Sequence, residues 1–398
     1  MGVAPLEIAL HAPAQNGAKA LTDLYFFYGT LCHEPLLAAV LGAPKPLEPA
    51  RLSAYEVRHA RDADGTDLGY PLLVEGPAGA EGGLAEITEA EAELLDWYEI
   101  GYAKARLAVT DAQGRTREAW VYLPEAGRWG VGQLWSLAAW AAEKGALATL
   151  AVAEVIALRG QVPMEQALGR YPMIRVRAAS RLRAGVPRPA KLRFQPGADD
   201  VEIESLRTPY AKFFAVEDYR LRHRRFDGSM SATLDRAAFI SGDATVVLPY
   251  DQKHDRVLLV EQFRTGPLAR GDANPWSLEA VAGRVDAGES PEAAARREAE
   301  EEAGVTLSRL IAAPSHYPSP GAKSEYLYCY IGLCDLPEAS PRLGGLQCEG
   351  EDIRSHRLSF DEMMALIETG EVENGPLIVL ALWLARLREG LRAEALGA

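Results

Sequence analysis

The chain has 398 residues, 48% of them hydrophobic, 25% charged and 8% aromatic, with a formal net charge of −14. That composition excludes a disordered chain, and its acidity argues against nucleic acid or an anionic membrane as a general partner. The length suits two domains better than a single core. The opening MGVAPLEIALHAPAQ lacks the basic start and apolar middle of a signal peptide, and Leu6 breaks a myristoylation pattern. Cys32, Cys329, Cys334 and Cys348 form no CxxC pair, which is the usage expected of a reducing cytoplasm.

Residues 21–125 alternate short β-like runs (LYFFYGTL, YPLLVE, ARLAVT, EAWVYLP) with glycine and proline turns, around one helical stretch, TEAEAELLDWYE. This pattern predicts a compact β-rich domain. Residues 126–200 change texture: GQLWSLAAWAAEKGALATLAVAEVIALRG is alanine-rich and helical, and PGADD ends it, so a helical connector is expected. Within it, Arg175, Arg177, Arg181, Arg183, Arg188, Lys191 and Arg193 form a basic stretch without an acid. Aromatic residues do not interleave with these cations, so a solvated face, or a surface that docks on an acidic neighbour, is preferred to an RNA-binding strip. From 201 to 398 strand-like segments (ATVVLPY, RVLLVEQF, YLYCYIG) flank an acidic helix, and a C-terminal amphipathic helix follows. The apolar run Pro376 to Ala385 is too short to span a bilayer and reads as that helix's buried face. The expected class is α+β, with a mixed sheet between helices in the second half.

The acidic helix carries the chemistry. In GRVDAGESPEAAARREAEEEAGV, residues 283–305, Ser290 suits the N-cap, Pro291 the first turn and Gly304 the left-handed stop. Glu298 and Glu302 stand at i and i+4 on one face, with Glu301 at i+3 from Glu298. Such carboxylates repel one another unless a hard divalent cation lies between them. The frame of Gly283, Glu289, Arg297, Glu298, Glu301, Glu302 and Gly304 resembles the Nudix box, found in hydrolases that split a nucleoside diphosphate linked to another moiety.

From Phe213 to Trp383 the segments FDGSMS, VLLVEQFR, LEAVAGRVDAGES, YPSPG and EGEDI resemble the ADP-ribose pyrophosphatase branch of that family. The resemblance implies an α/β/α sandwich and a homodimer. It also implies Mg²⁺, with Mn²⁺ as the alternative, bridging a nucleotide diphosphate. Carried over by motif, the metal ligands are Glu298, Glu302, Glu351 and the carbonyl of Ala282, and Glu349 is the general base, with Glu301 grouped beside it. Arg264 matches a phosphate contact, Ser319 and Gly321 lie in a loop beside the pocket, and Arg236 matches an arginine that reaches the partner's site. Arg297 is expected to orient the glutamates. Glu325 is read either as a pocket wall or as exposed. Two departures stand out: Ala299 replaces a bulky aliphatic, and Ala237 and Ala238 stand where an acid is usual beside Arg236.

The first half, over residues 24–124, resembles the gamma-glutamylcyclotransferase-like β-barrel on FFYGTL, GYPLLV and LDWYEIGYAKARLAV. That likeness implies a substrate-binding loop of Tyr28, Gly29, Thr30 and Leu31 and a proton-transferring Glu99, with no metal; a recognition or scaffold role is the alternative. Joined in this order, the two modules are similar to bacterial tellurite-resistance fusion proteins, although no clustered thiolates suited to a heavy chalcogen are visible. Hydrolysis of ADP-ribose to AMP and ribose 5-phosphate is the expected activity. Another nucleoside diphosphate sugar, a dinucleotide, or a nucleotide-sensing scaffold are the alternatives.

Overall fold

The computed structural model describes residues 21–336, 338, 342–346 and 350–397. The chain divides into two compact units, residues 1–178 with 184–187, and residues 179–183 with 188–398.

The first unit is built on a closed barrel in the order β1-β5-β2-β6-β7, made of β1 (Thr22–Phe27), β2 (Glu48–Leu52), β5 (Ala80–Thr88), β6 (Tyr102–Asp111) and β7 (Thr116–Pro124). A separate sheet pairs β3 (Tyr55–Arg61) with β4 (Asp67–Glu75) and β8 (Gly130–Leu134). The helix predicted from TEAEAELLDWYE is α2 (Glu89–Tyr98), and it starts in a capping box: Thr88 accepts from the Glu91 amide, and the Glu91 carboxylate accepts from the Thr88 amide. α1 (Glu34–Leu41), α3 (Leu137–Trp140) and α4 (Ala146–Ala157) bury Leu36, Leu37, Trp140 and Val152 in one core with Tyr25 and Phe27 of β1. The alanine-rich stretch is therefore helical as expected, and it belongs to the barrel's core. α5 (Met164–Ala184) follows, and its residues 179–183 count with the second unit.

In the second unit β9 (Val201–Ala211), β10 (Ala215–His223) and β11 (Leu234–Ile240) form an antiparallel sheet of their own. The main sheet has the order β16-β17-β12-β13-β19-β18. It contains β12 (Ala244–Asp251), β13 (Arg256–Phe263), β16 (Arg309–Ala312), β17 (Leu327–Leu333), β18 (Arg342–Gly344) and β19 (Ile353–Ser359). After α6 (Thr265–Arg270), two short strands join it, β14 (Trp276–Glu279) on β13 and β15 (Val281–Arg284) on β12. Two cores fill the two faces. One packs Ala295, Ala299 and Ala303 of α7 (Pro291–Ala303) on Val247, Leu258 and Val260. The other packs Phe360 and Met363 of α8 (Phe360–Thr369) and Leu377, Leu380 and Leu384 of α9 (Gly375–Leu396) on Val246, Leu248 and Leu259. This is the sandwich expected, and the small Ala299 is fully buried in it. The run from Pro376 supplies the buried face of α9, and among the described residues no helix is long and apolar enough to cross a membrane.

The basic stretch proves to be largely paired. Arg177, 1% exposed, binds Glu154 in the first unit. In the second, Arg181 binds Glu217, Arg183 holds Asp243 at 2.7 Å, and Arg188 lies 3.8 Å from the Tyr326 ring centroid. Docking on acids of the same chain, rather than solvation, accounts for Arg177, Arg181 and Arg183.

Candidate active sites

The helix α7 starts and stops where its sequence directs: the Ser290 hydroxyl accepts from the Ala293 amide at 3.1 Å, and Gly304 closes it at φ 63°. Its i, i+4 pair faces the sheet, leaving Glu298 8% and Glu302 2% exposed. Two features of β15 make room for these carboxylates. A Cβ on Gly283 would stand 1.9 Å from the Glu298 carboxyl carbon, so glycine leaves the space that carboxylate occupies, and the Ala282 amide donates to Glu302 Oε2 at 3.1 Å. Burial pushes Glu298 up to about 7, against the pull of Arg297. Burial likewise pushes Glu302 up to about 8, and the charges of Glu298 and Glu351 add to the shift. Glu351 thus lies within electrostatic reach of both, and its Oε2 accepts from the Leu346 amide at 3.0 Å.

Arg297 orders the remaining carboxylates, donating to Glu289 at 3.1 Å, to Glu298 at 2.7 Å and to Glu301 at 3.0 Å, and to the Arg284 carbonyl at 3.0 Å. That is the orienting role expected of it. Glu301 shares the Arg297 Nη1 with Glu298 and lies within electrostatic reach of it. Among the described residues no three His, Cys, Asp or Glu side chains cluster tightly enough to hold a metal ion. The donor chemistry nevertheless suits one: Glu298 and Glu302 offer oxygen ligands only, and burial holds both carboxyls above the ordinary carboxylate range.

Arg264 is bound through two nitrogens to the buried Glu279, at 3.0 and 2.7 Å. Glu302 and Glu351 also act on it, which puts it in the same neighbourhood. Glu279 carried no role in the sequence reading; its place in LEAVAG, three residues before Ala282, was the available hint. Ser319 accepts from the Ala322 and Lys323 amides in an exposed turn that contains Gly321. Glu325 is neither free nor simply exposed, since Lys323 binds it at 2.8 Å and the Ser241 hydroxyl at 3.2 Å. Arg236 is exposed on β11, donating to its neighbour's carbonyl at 2.8 Å. Glu349 and Cys348 lie outside the described residues.

The first unit holds a cavity of about 690 Å³, lined by Tyr28, Gly29, Thr30, Leu31 and Glu99 together with residues of α4 and α5. The strand β1 ends in the loop, and a Cβ on Gly29 would meet the Pro71 ring at 2.5 Å. Tyr28 is fixed by donating to the Tyr122 carbonyl at 2.6 Å, and Tyr122 donates to Asp96 at 2.7 Å. Glu99 sits at the C-terminus of α2, and burial pushes its carboxyl up to about 7 with no cation opposing. A carboxyl so placed can take and return a proton near neutral pH. The α4 and α5 walls were not anticipated, because their sequence reads as a connector. Burial also pushes Cys32, Cys329 and Cys334 up to about 12, which disfavours the thiolates that a soft element would need.

Comparison with known proteins finds a family model matching part of each half of the chain. The NUDIX domain model matches residues 241–379, and the gamma-glutamyl cyclotransferase, AIG2-like model matches residues 25–140. The chain is similar to the ADP-ribose pyrophosphatase of Escherichia coli strain K12, 40% identical over 198 residues that cover 50% of this chain and 94% of that protein. It is also similar to the ADP-ribose pyrophosphatase of Haemophilus influenzae, 36% identical over 46% of this chain and 86% of the relative. The GDP-mannose pyrophosphatase of Enterobacter sp. is 29% identical over 37% of this chain and 76% of its own length.

Proposed function

The chain belongs to the Nudix hydrolases, by the ADP-ribose pyrophosphatase relatives its second half spans, and from that membership we propose that it hydrolyses ADP-ribose to AMP and ribose 5-phosphate with Mg²⁺. The observation that carries the reading is the pair of buried carboxylates, Glu298 and Glu302, packed against Gly283.

Glu298, Glu302, Glu351 and the Ala282 carbonyl would hold Mg²⁺ or Mn²⁺. The ion, when bound, neutralises diphosphate oxygens and makes water a better nucleophile at neutral pH. Arg297 keeps the glutamates in place and offsets part of their repulsion. Arg264 is poised to donate to the diphosphate by exchanging one bond with Glu279, and Glu349 is the proposed base for the attacking water. The turn of Ser319 and Gly321 borders the substrate. Arg236 is exposed on β11, which supports a contribution to a second copy in a homodimer.

The test is a panel of ADP-ribose, GDP-mannose and a dinucleotide with Mg²⁺, products resolved by phosphorus NMR. ADP-ribose is expected to give the highest kcat/KM. A preference for GDP-mannose, which the 29% identical relative motivates, would replace the substrate and keep the chemistry.

For the first unit, the cavity joining Glu99 to the Tyr28–Leu31 loop supports a gamma-glutamyl cyclotransferase. Glu99 takes a proton from the glutamyl ammonium, and the freed amine attacks the γ-carbonyl carbon. As the new C–N bond forms, the attacking nitrogen gives up a second proton; the bond to the leaving nitrogen then breaks, and both protons end on that nitrogen. The products are 5-oxoproline and the leaving amine in its ammonium form. Release of 5-oxoproline from gamma-glutamyl compounds, abolished in Glu99→Gln, is the measurement.

A further inference from the structure

Gln262, on β13, is 6% exposed, and its side-chain amide nitrogen is buried without a hydrogen-bond partner. Among the described residues it is the one side-chain polar atom in that condition on β13, β14 and β15, the strands that carry Glu279, Ala282 and Gly283. A buried donor with no acceptor costs stability, and a ligand that brings the acceptor relieves that cost.

The alternation of β13 fixes the face on which Gln262 lies. Leu258 and Val260 pack in the core under α7 with Ala295 and Ala299, whereas Val257 and Leu259 pack in the core under α9. Gln262 is the next residue after Val260 on the α7 face. On one side of the strand, Val260 stands opposite Glu279 and Gln262 opposite Ser277 of β14. On the other, Glu261 stands opposite Arg354 of β19, which sets Gln262 beside Ile353, buried in the same core and two residues from Glu351. Two residues after Gln262 comes Arg264, bound to Glu279. The amide therefore lies between the Arg264–Glu279 pair and the start of β19, on the sheet face that α7 covers.

The charged donors on this face are committed. Arg264 spends Nε and Nη2 on Glu279, and Arg297 spends Nε on Glu289 and Nη1 on Glu298 and Glu301. An anionic ligand must draw those groups away from carboxylates, but it displaces nothing at Gln262.

We propose that Gln262 binds substrate directly, its amide donating to a non-bridging oxygen of the diphosphate beside Arg264. The inference rests on the hydrolase reading above and adds a neutral donor to it. Removing the donor should then weaken the ligand and spare the fold.

The test measures, by calorimetry on the full chain with Mg²⁺, the affinity for α,β-methylene-ADP and for α,β-methylene-ADP-ribose, whose carbon bridge water does not cleave. Gln262→Met keeps the volume and removes the donor. It is expected to weaken both analogues by about ten- to hundredfold, the size of one hydrogen bond to a charged group, while the melting temperature of the ligand-free chain holds or rises. A residue needed only for packing would lower that temperature instead. Gln262→Asn keeps an amide but withdraws it by one bond. It should weaken both analogues several-fold, which decides the matter if Gln262→Met does not fold. Unchanged affinity in either variant, or a loss confined to the ADP-ribose analogue, overturns the inference and leaves the hydrolase reading in place. So does a melting temperature that falls together with affinity in Gln262→Met. A wild-type chain that hydrolyses no nucleoside diphosphate compound overturns that reading, and this inference with it.

Discussion

In the proposed hydrolysis, Glu302 is the residue on which the C-terminal chemistry would turn. It is 2% exposed, burial pushes its carboxyl up to about 8, and among the described residues it accepts from the Ala282 amide. Glutamine keeps that bond and loses the charge, so Glu302→Gln should cut ADP-ribose turnover by about a hundredfold or more while the melting temperature holds or rises. Steady-state kinetics at saturating Mg²⁺, paired with a thermal melt, reads both. Gly283 makes the complementary case through space. An added Cβ at 1.9 Å from the Glu298 carboxyl carbon must displace that side chain, so Gly283→Ala is expected to lose activity to a similar extent with only a modest loss of stability. Near-normal kinetics in Gly283→Ala would break the link between this strand and the site. In the first unit, Glu99 has a carboxyl at about 7 where 4.5 is ordinary. Between those values the folded chain keeps a proton that the unfolded chain has released, so Glu99 makes stability fall as pH rises from about 4.5 to about 7, with no further loss above. Glu99→Gln removes that slope: the melting temperature of the variant relative to wild type should be higher at pH 8 than at pH 5, by thermal melts of both proteins.

At the scale of elements, α5 matters more to the second unit than its place in the sequence suggests. Asp243, 3% exposed at the start of β12, accepts from the Ser180 hydroxyl at 2.6 Å and from Arg183 at 2.7 Å. A fragment beginning near residue 201 leaves that carboxylate buried without a partner, which costs about 3–5 kcal/mol. One beginning near residue 176 retains both donors. Urea denaturation of the two should show the longer fragment more stable by about that amount, and equal midpoints would mean that Asp243 finds water or another donor. The helix α7 behaves oppositely, since its cap, its stop and the spacing of its glutamates lie within a few turns of one another and were legible in the sequence. The walls that α4 and α5 give to the cavity were not legible, because an alanine-rich helix carries no mark of which surface it will meet.

At the scale of the whole molecule, the open question of assembly can be answered with two inactive variants. Arg236 is exposed and, among the described residues, donates to its neighbour's carbonyl, and the proposed homodimer would bring it to a partner's site. Mixing Arg236→Ala with Glu302→Gln under conditions that exchange subunits should then restore about a quarter of wild-type activity, because half the dimers carry one complete site. Sedimentation of a fully active monomer, or no complementation, would end the claim. What the sequence determined alone is the local placement of groups on short stretches: the box glutamates, Arg297 and Gly283 within residues 283–302, the Tyr28–Leu31 loop, and Glu99 at the close of α2. Turn geometry and helix periodicity place those groups from neighbouring residues only. The tertiary structure alone decided that Arg264 is bound to Glu279, that Asp243 is held by Ser180 and Arg183, and that Arg175 shares a cavity with Glu99. Each of those contacts joins separate elements, and burial, which raises the value of every ion pair and the cost of every unpaired charge, exists only once the chain has packed.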